Sequence, residues 1–273
     1  MSNKNIIITG GTDGIGLAIV KKLNDDKNNI LIIGRNYEKG NRIIKYFNSK
    51  KIDFIQCDLS EKHQIKYLAK KINSIKKIDV LINNAGAIFS NRELNSEKVE
   101  KTFALNHLSY FHLSLLLLRQ LENSDNGRIV NVASNAHKRY DLDLSDLENK
   151  KDYAGWKSYC RSKLLNIYFT YAFNRKINTK VTCNCLHPGF VNSNFGNNNK
   201  SLFRYAVNIL KEIFAISCEK AAETPYYLSN SKGLINTSGK YFYNSKIINS
   251  SKISYNKEIA DKVWEKSLEY HKN

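Results

Sequence analysis

Short β-branched runs alternate with longer stretches of helical periodicity along most of the chain. The runs fall at Ile6–Thr9, Ile30–Gly34, Asp53–Cys57, Val80–Asn83, Arg128–Ala133 and Lys180–Leu186, with a late one at Lys240–Phe242. Each of the first five leads into a helical stretch. That alternation predicts repeated βαβ units, and hence an α/β chain with a doubly wound parallel sheet of about seven strands and helices on both faces. A ligand of such a sheet sits beyond the carboxyl ends of its strands.

At 273 residues the chain lies near the upper limit of what one hydrophobic core serves. It has two prolines, no Pro-rich or Ser-rich stretch and no internal repeat, so a single domain over residues 1–273 is expected. Ile6-Ile7-Ile8 is too short for the apolar core of a signal peptide. The apolar run around Leu113–Leu118 falls far short of the ~20 residues that span a bilayer. A cytoplasmic protein without an integral membrane anchor is expected. The five cysteines (Cys57, Cys160, Cys183, Cys185, Cys218) contain no Cys-x-x-Cys pair, which argues against a disulfide framework and a zinc site. No metal is expected. The net charge of +18 comes mostly from Lys scattered in singles and pairs, without a basic tail or Arg cluster. Nucleic-acid binding calls for a clustered footprint, so none is expected.

The first strand runs into Thr9-Gly10-Gly11-Thr12-Asp13-Gly14-Ile15-Gly16 and then a helical segment. Glycines at 10, 14 and 16 allow a tight turn and close backbone approach, and the helix N-terminus offers free N–H groups to a pyrophosphate. The second strand ends at Gly34-Arg35-Asn36, where an NAD-binding chain would offer a carboxylate to the ribose; no acid stands between Lys27 and Tyr37. Arg35 suits a 2′-phosphate instead, so NADP(H) is preferred, with NAD(H) left open. Asp13 counts against a nearby phosphate. Tyr159 and Lys163 stand four apart at the start of a helical run, on one face, where an ammonium would favour the phenolate and bring the phenol toward acid–base use.

Gly10-x-x-x-Gly14-x-Gly16, Asn83-Asn84-Ala85-Gly86, Asn106, Ser134, Tyr159-x-x-x-Lys163 and Pro188-Gly189 stand in the order and spacing of the short-chain dehydrogenase/reductase family, which the whole chain resembles. It is most similar to the branch holding retinol dehydrogenases and WW-domain-containing oxidoreductases. Leu105-Asn106-His107-Leu108, Leu186-His187-Pro188-Gly189 and the 25 positions from Ser134 to Tyr159 carry that likeness. The resemblance implies a Rossmann fold and an oxidoreductase that interconverts a carbonyl and an alcohol by hydride transfer. By the same resemblance, Tyr159 would donate the proton, Ser134 would hold the carbonyl oxygen, Lys163 would hold the nicotinamide ribose and Asn106 would support a proton-relay water. Contacts to the cofactor would come from Gly10, Thr12, Asp13, Gly14, Ile15, Gly16, Arg35, Asp58, Leu59, Asn84, Ala85, Gly86, Pro188, Gly189, Val191 and Ser193, besides Tyr159 and Lys163.

Two alternatives stand beside this. A sugar-nucleotide epimerase shares Tyr-x-x-x-Lys but has a tighter glycine motif and a longer chain. A non-catalytic cofactor sensor on the same scaffold would commonly lose a member of the Ser-Tyr-Lys set, which is complete here. His107, His137 and His187 flank motifs without a second catalytic group at matching spacing and read as structural. Residues from about 190 to 217 read as a substrate-covering segment, hinged at Asn192–Ser201 and apolar through Leu202, Phe203 and Ile209, so an apolar substrate is expected. The run Leu108–Leu118 is apolar around nearly its whole circumference, which predicts burial on two sides and a homodimer.

Overall fold

The computed structural model describes residues 3–25, 27–189 and 216–272. One sheet holds eight strands: β1 (Asn5–Thr9), β2 (Asn29–Gly34), β3 (Ile52–Gln56), β4 (Val80–Asn83), β5 (Arg128–Val132), β6 (Thr182–Leu186), β7 (Tyr241–Tyr243) and β8 (Lys246–Ile248). Their order is β3-β2-β1-β4-β5-β6-β7-β8, parallel as far as β7, with β8 antiparallel at the edge. All seven runs predicted from the sequence form strands. The eighth was not foreseen.

The helices are α1 (Gly14–Leu23), α2 (Tyr37–Phe47), α3 (Lys62–Lys71), α4 (Ser109–Leu116), α5 (Leu118–Glu122), α6 (Gly155–Lys176), α7 (Cys218–Ala221), α8 (Glu223–Asn230) and α9 (Lys257–Lys272). Successive strand residues feed opposite layers. Ile7, Leu31, Leu81 and Ile129 pack into the core beneath α3, α4, α6 and α9, whereas Ile6, Ile8, Ile32, Ile82 and Val130 pack against α1 and α8. Burial on both faces is why these strands read as apolar throughout rather than alternating.

The strand order reverses between β1 and β4, so the loops leaving their carboxyl ends border one crevice. A second feature bears on the dimer expectation. The C-terminal helix α9 lies across α4 and α6, with the Trp264 ring 5.0 Å from Phe111, 6.1 Å from Phe169 and 6.4 Å from Phe173, centroid to centroid. The side of α4 that faces α9 is thus covered within the chain, while Leu115, Leu116 and Leu118 of the apolar run are only partly buried. Among the described residues, no helix is long and apolar enough to cross a membrane. The substrate-covering segment, with Val191, Ser193 and the apolar positions from Leu202, lies outside the described residues apart from Ile216 and Ser217.

Candidate functional site

After β1 the chain turns through Gly10 and Gly14, at φ of 68° and 52°, into α1. Glycine is required at 16 for a different reason, since a Cβ there would lie 2.1 Å from the Gly10 carbonyl oxygen. Asp13 caps α1, its carboxylate accepting from the Gly14 N–H at 2.8 Å and pairing with Lys39 Nζ at 2.5 Å. The Lys39 ammonium offsets the charge that, from sequence, counted against a phosphate here. Thr12 lies against Gly34, where a Cβ would come within 3.3 Å of Thr12 Cγ2, and the exposed Arg35 follows directly. In the first turn of α1 the N–H groups of Ile15 and Gly16 have no intrahelical acceptor and stand at the positive end of the dipole.

The Asn84–Gly86 segment after β4 is moulded onto that loop. Thr9 Oγ1 accepts from the N–H groups of Asn84 (2.9 Å) and Ala85 (3.0 Å), and Asn84 Nδ2 donates to the Thr9 carbonyl at 2.9 Å. Asn84 therefore spends its side chain bracing the glycine loop. Asp58 follows β3, with Oδ1 accepting from the Ser60 N–H (2.9 Å) and hydroxyl (2.7 Å). Leu59, expected beside it as a cofactor contact, turns its side chain into the core at 4% exposure, which leaves only its backbone to face a ligand.

Ser134, Tyr159, Lys163 and Asn106 converge from three elements. Ser134 leaves β5 and caps a short helical turn, accepting from the Ala136 N–H at 3.1 Å, and its hydroxyl hydrogen-bonds the Tyr159 phenol. Tyr159 and Lys163 lie on α6, with Lys163 Nζ 5.7 Å from the Tyr159 ring centroid and donating to the Val132 carbonyl at 2.9 Å. Asn106 sits in a π-helical turn, Ala104–Leu108. Its amide pairs both ways with the Ala87 backbone (2.9 Å each) and donates to Ser162 Oγ at 3.0 Å, which in turn donates to the Tyr159 carbonyl. Of the predicted set these four come together with Gly86, while Pro188 and Gly189 follow β6 nearby in the sheet order.

Burial sets the titration of the pair. It pushes the Tyr159 phenol up to about 12, against the opposing Ser134 hydrogen bond, and pushes Lys163 down to about 7. In the chain by itself desolvation therefore outweighs the attraction between ammonium and phenolate that the spacing suggested. One consequence is measurable. Unfolded Lys163 titrates near 10.4, so between about pH 7 and 10 the unfolded state holds the extra proton, and stability from this group rises with pH. Lys163→Met should flatten that rise in a series of denaturant melts. An unchanged pH slope would refute the buried neutral lysine.

The family model described as short chain dehydrogenase matches residues 4–202. The chain belongs to the short-chain dehydrogenase family. It is 32% identical over 276 residues to human polyprenol dehydrogenase, covering 96% of this chain and 83% of that one. It is 31% identical over 281 residues to human retinol dehydrogenase 13, covering 97% and 83%. The structure of an actinorhodin polyketide ketoreductase with NADPH matches with a TM-score of 0.70 at 22% identity, over 89% of this chain and 97% of that one. This short-chain dehydrogenase thus falls in the retinol dehydrogenase-like branch, and it is an oxidoreductase of a family that uses a nicotinamide cofactor.

The residues of this short-chain dehydrogenase fit such a cofactor. A Cβ at Gly86 would lie 3.3 Å from Asn106 Oδ1 and 3.5 Å from Lys163 Nζ, so glycine keeps the floor beside the lysine open. Tyr110 is a site residue with no motif to announce it. Its hydroxyl reaches the Ala85 carbonyl at 3.0 Å, and Lys163 Nζ lies 5.5 Å from its ring centroid. His137 Nε2 accepts from the Ser251 N–H at 3.0 Å, which leaves the ring proton on Nδ1 for the Ser134 carbonyl at 2.7 Å, and His187 stacks on Tyr243 at 4.1 Å. Among the described residues, no cluster of three or more His, Cys, Asp or Glu is placed to hold a metal.

Proposed function

We propose that the chain is one catalytic domain that uses NADP(H) to interconvert an apolar aldehyde or ketone and its alcohol, with Tyr159 as general acid and base. The observation that carries this reading is the convergence of Ser134, Tyr159, Lys163 and Asn106 beside the Gly86 floor. The bound nicotinamide would supply the hydride. Ser134 would donate a hydrogen bond to the substrate carbonyl oxygen, and Tyr159 would deliver its phenolic proton there as negative charge develops. Lys163 would hold the ribose and steady the phenolate left behind.

Cofactor choice rests on the basic residues by the glycine loop. Arg35 follows the glycine against Thr12, and the Lys39 ammonium offsets the Asp13 carboxylate, with Glu38 in the first turn of α2 beside it. Arg35 supports a 2′-phosphate through the charge-assisted pairing a guanidinium makes with one. Arg35→Ala should weaken NADPH binding about tenfold with little change for NADH, which fluorescence titration with both nucleotides would read. Equal binding of the two nucleotides by the parent enzyme would sink the assignment.

An apolar substrate is supported by Trp156. Its indole stacks on the Tyr159 ring at 5.6 Å and 26° and remains 38% exposed, so an apolar surface borders the proton donor. NADPH oxidation over a panel of short polar and long apolar carbonyls tests the whole reading. Tight NADPH binding without turnover of any member would replace the enzyme with a cofactor sensor.

A further inference from the structure

The chain from Asn106 to the C-terminal helix is a run of fully buried polar groups. Asn166 Nδ2 donates to the Asn106 carbonyl at 2.8 Å; Asn166 Oδ1 faces His107 Nδ1 at 3.2 Å; His107 Nε2 faces Ser267 Oγ at 2.9 Å. All four residues have zero relative exposure. No solvent is at hand to repair a wrong proton, so each proton position is dictated by its neighbour.

The order can be worked out from the Asn106 end. Its carbonyl can only accept, which turns the Asn166 amide nitrogen toward it and presents Oδ1 to the imidazole. Oδ1 can only accept as well, so Nδ1 must carry the ring proton. Burial holds the ring neutral, pushing its pKa down to about 4, and a neutral ring protonated at Nδ1 is bare at Nε2. The Ser267 hydroxyl must then donate to Nε2. Its oxygen also lies 2.8 Å from the Val263 carbonyl, an alternative acceptor for the same single proton. Ser267 thus chooses between its own helix and the imidazole, and only the second choice completes the chain.

We infer that His107 is a positioning residue for Asn106, acting through Asn166, and that Ser267 of α9 anchors the Nδ1-protonated ring through Nε2, so that docking of the C-terminal helix conditions turnover. The inference rests on the reading of Asn106, Ser134, Tyr159 and Lys163 as the catalytic group. The route onward is short. Asn106 grips Ala87, next to the Gly86 floor, and Ser162, one turn from Tyr159, so a displaced Asn106 carbonyl moves both the floor and the acid.

The test uses the full-length protein and a carbonyl that the parent reduces. Ser267→Ala removes the donor to Nε2 while leaving α9 otherwise intact, and should lower kcat about tenfold with KM and NADPH affinity within twofold. Ser267→Thr, which restores a hydroxyl, should recover turnover to within about twofold. Nitrogen-resolved NMR of the His107 ring reads the tautomer directly. The parent should show the proton on Nδ1 and a hydrogen-bonded Nε2, and Ser267→Ala should keep the proton on Nδ1 while the Nε2 signal moves to that of a nitrogen without a donor. Melting curves confirm that the variants are folded. The proposal is overturned if the parent ring is protonated at Nε2, or if Ser267→Ala turns over like the parent. Tyr159→Phe separates this from the underlying reading. If Tyr159→Phe is inactive while Ser267→Ala is unimpaired, the coupling falls and the reading stands; if Tyr159→Phe is fully active, both fall.

Discussion

Tyr159→Phe is expected to lose about 100-fold or more in kcat for carbonyl reduction while binding NADPH as tightly as the parent enzyme. The substitution keeps the ring that stacks on Trp156 and deletes only the oxygen that meets Ser134. Cofactor contacts through Lys163 survive, because its own hydrogen bond is to the Val132 carbonyl rather than to the phenol. The direction of reaction should respond to pH with opposite sensitivity. A phenol pushed up to about 12 is protonated at neutral pH, ready to donate to an alkoxide-like oxygen, and scarce as the base that alcohol oxidation needs. Oxidation should therefore climb from pH 7 to 10, whereas reduction should not gain over that range. Near-parental turnover in Tyr159→Phe, or an oxidation rate flat with pH, would mean that the proton moves through another group.

Much of this was legible because parallel strands and a glycine-rich turn write themselves locally. Ile6-Ile7-Ile8 is apolar on both faces of a strand, and Gly10, Gly14 and Gly16 mark where backbone must turn or approach closely. The edge strand β8 was missed because it is three residues long and mostly exposed, with little pattern to betray it. Its turn did carry a signal. Asn244 and Ser245 both adopt positive φ, the geometry of a two-residue hairpin loop, but without the glycine that usually flags one. Thr9, Tyr110 and Asn166 escaped for a different reason. Each acts on a segment at least 25 residues away, across sheet or helix packing that no local period records. The opposed shifts of Tyr159 and Lys163 were illegible likewise, since spacing places two groups on one face but says nothing of how dry that face is.

Trp264→Ala is expected to produce the largest loss of stability, about 3–5 kcal/mol by denaturant melts. The indole is 5% exposed and fills the space among Phe111, Phe169 and Phe173, with two of the three contacts in edge-on or tilted geometry and one stacked at 18°. Three rings on two helices cannot close over a methyl group, so a cavity remains between α9 and the pair beneath it. Against a native stability of roughly 5–15 kcal/mol that is a large share. Trp264→Phe, keeping a ring, should recover more than half. The apolar face of α4 and α6 would be uncovered at the same time, so Trp264→Ala should sediment as a larger species at concentrations where the parent does not. Here the apolar helix that suggests a dimer from sequence would recruit a second copy because its own cover is loosened. A loss below about 1 kcal/mol, with unchanged sedimentation, would show that α9 is not what closes this face.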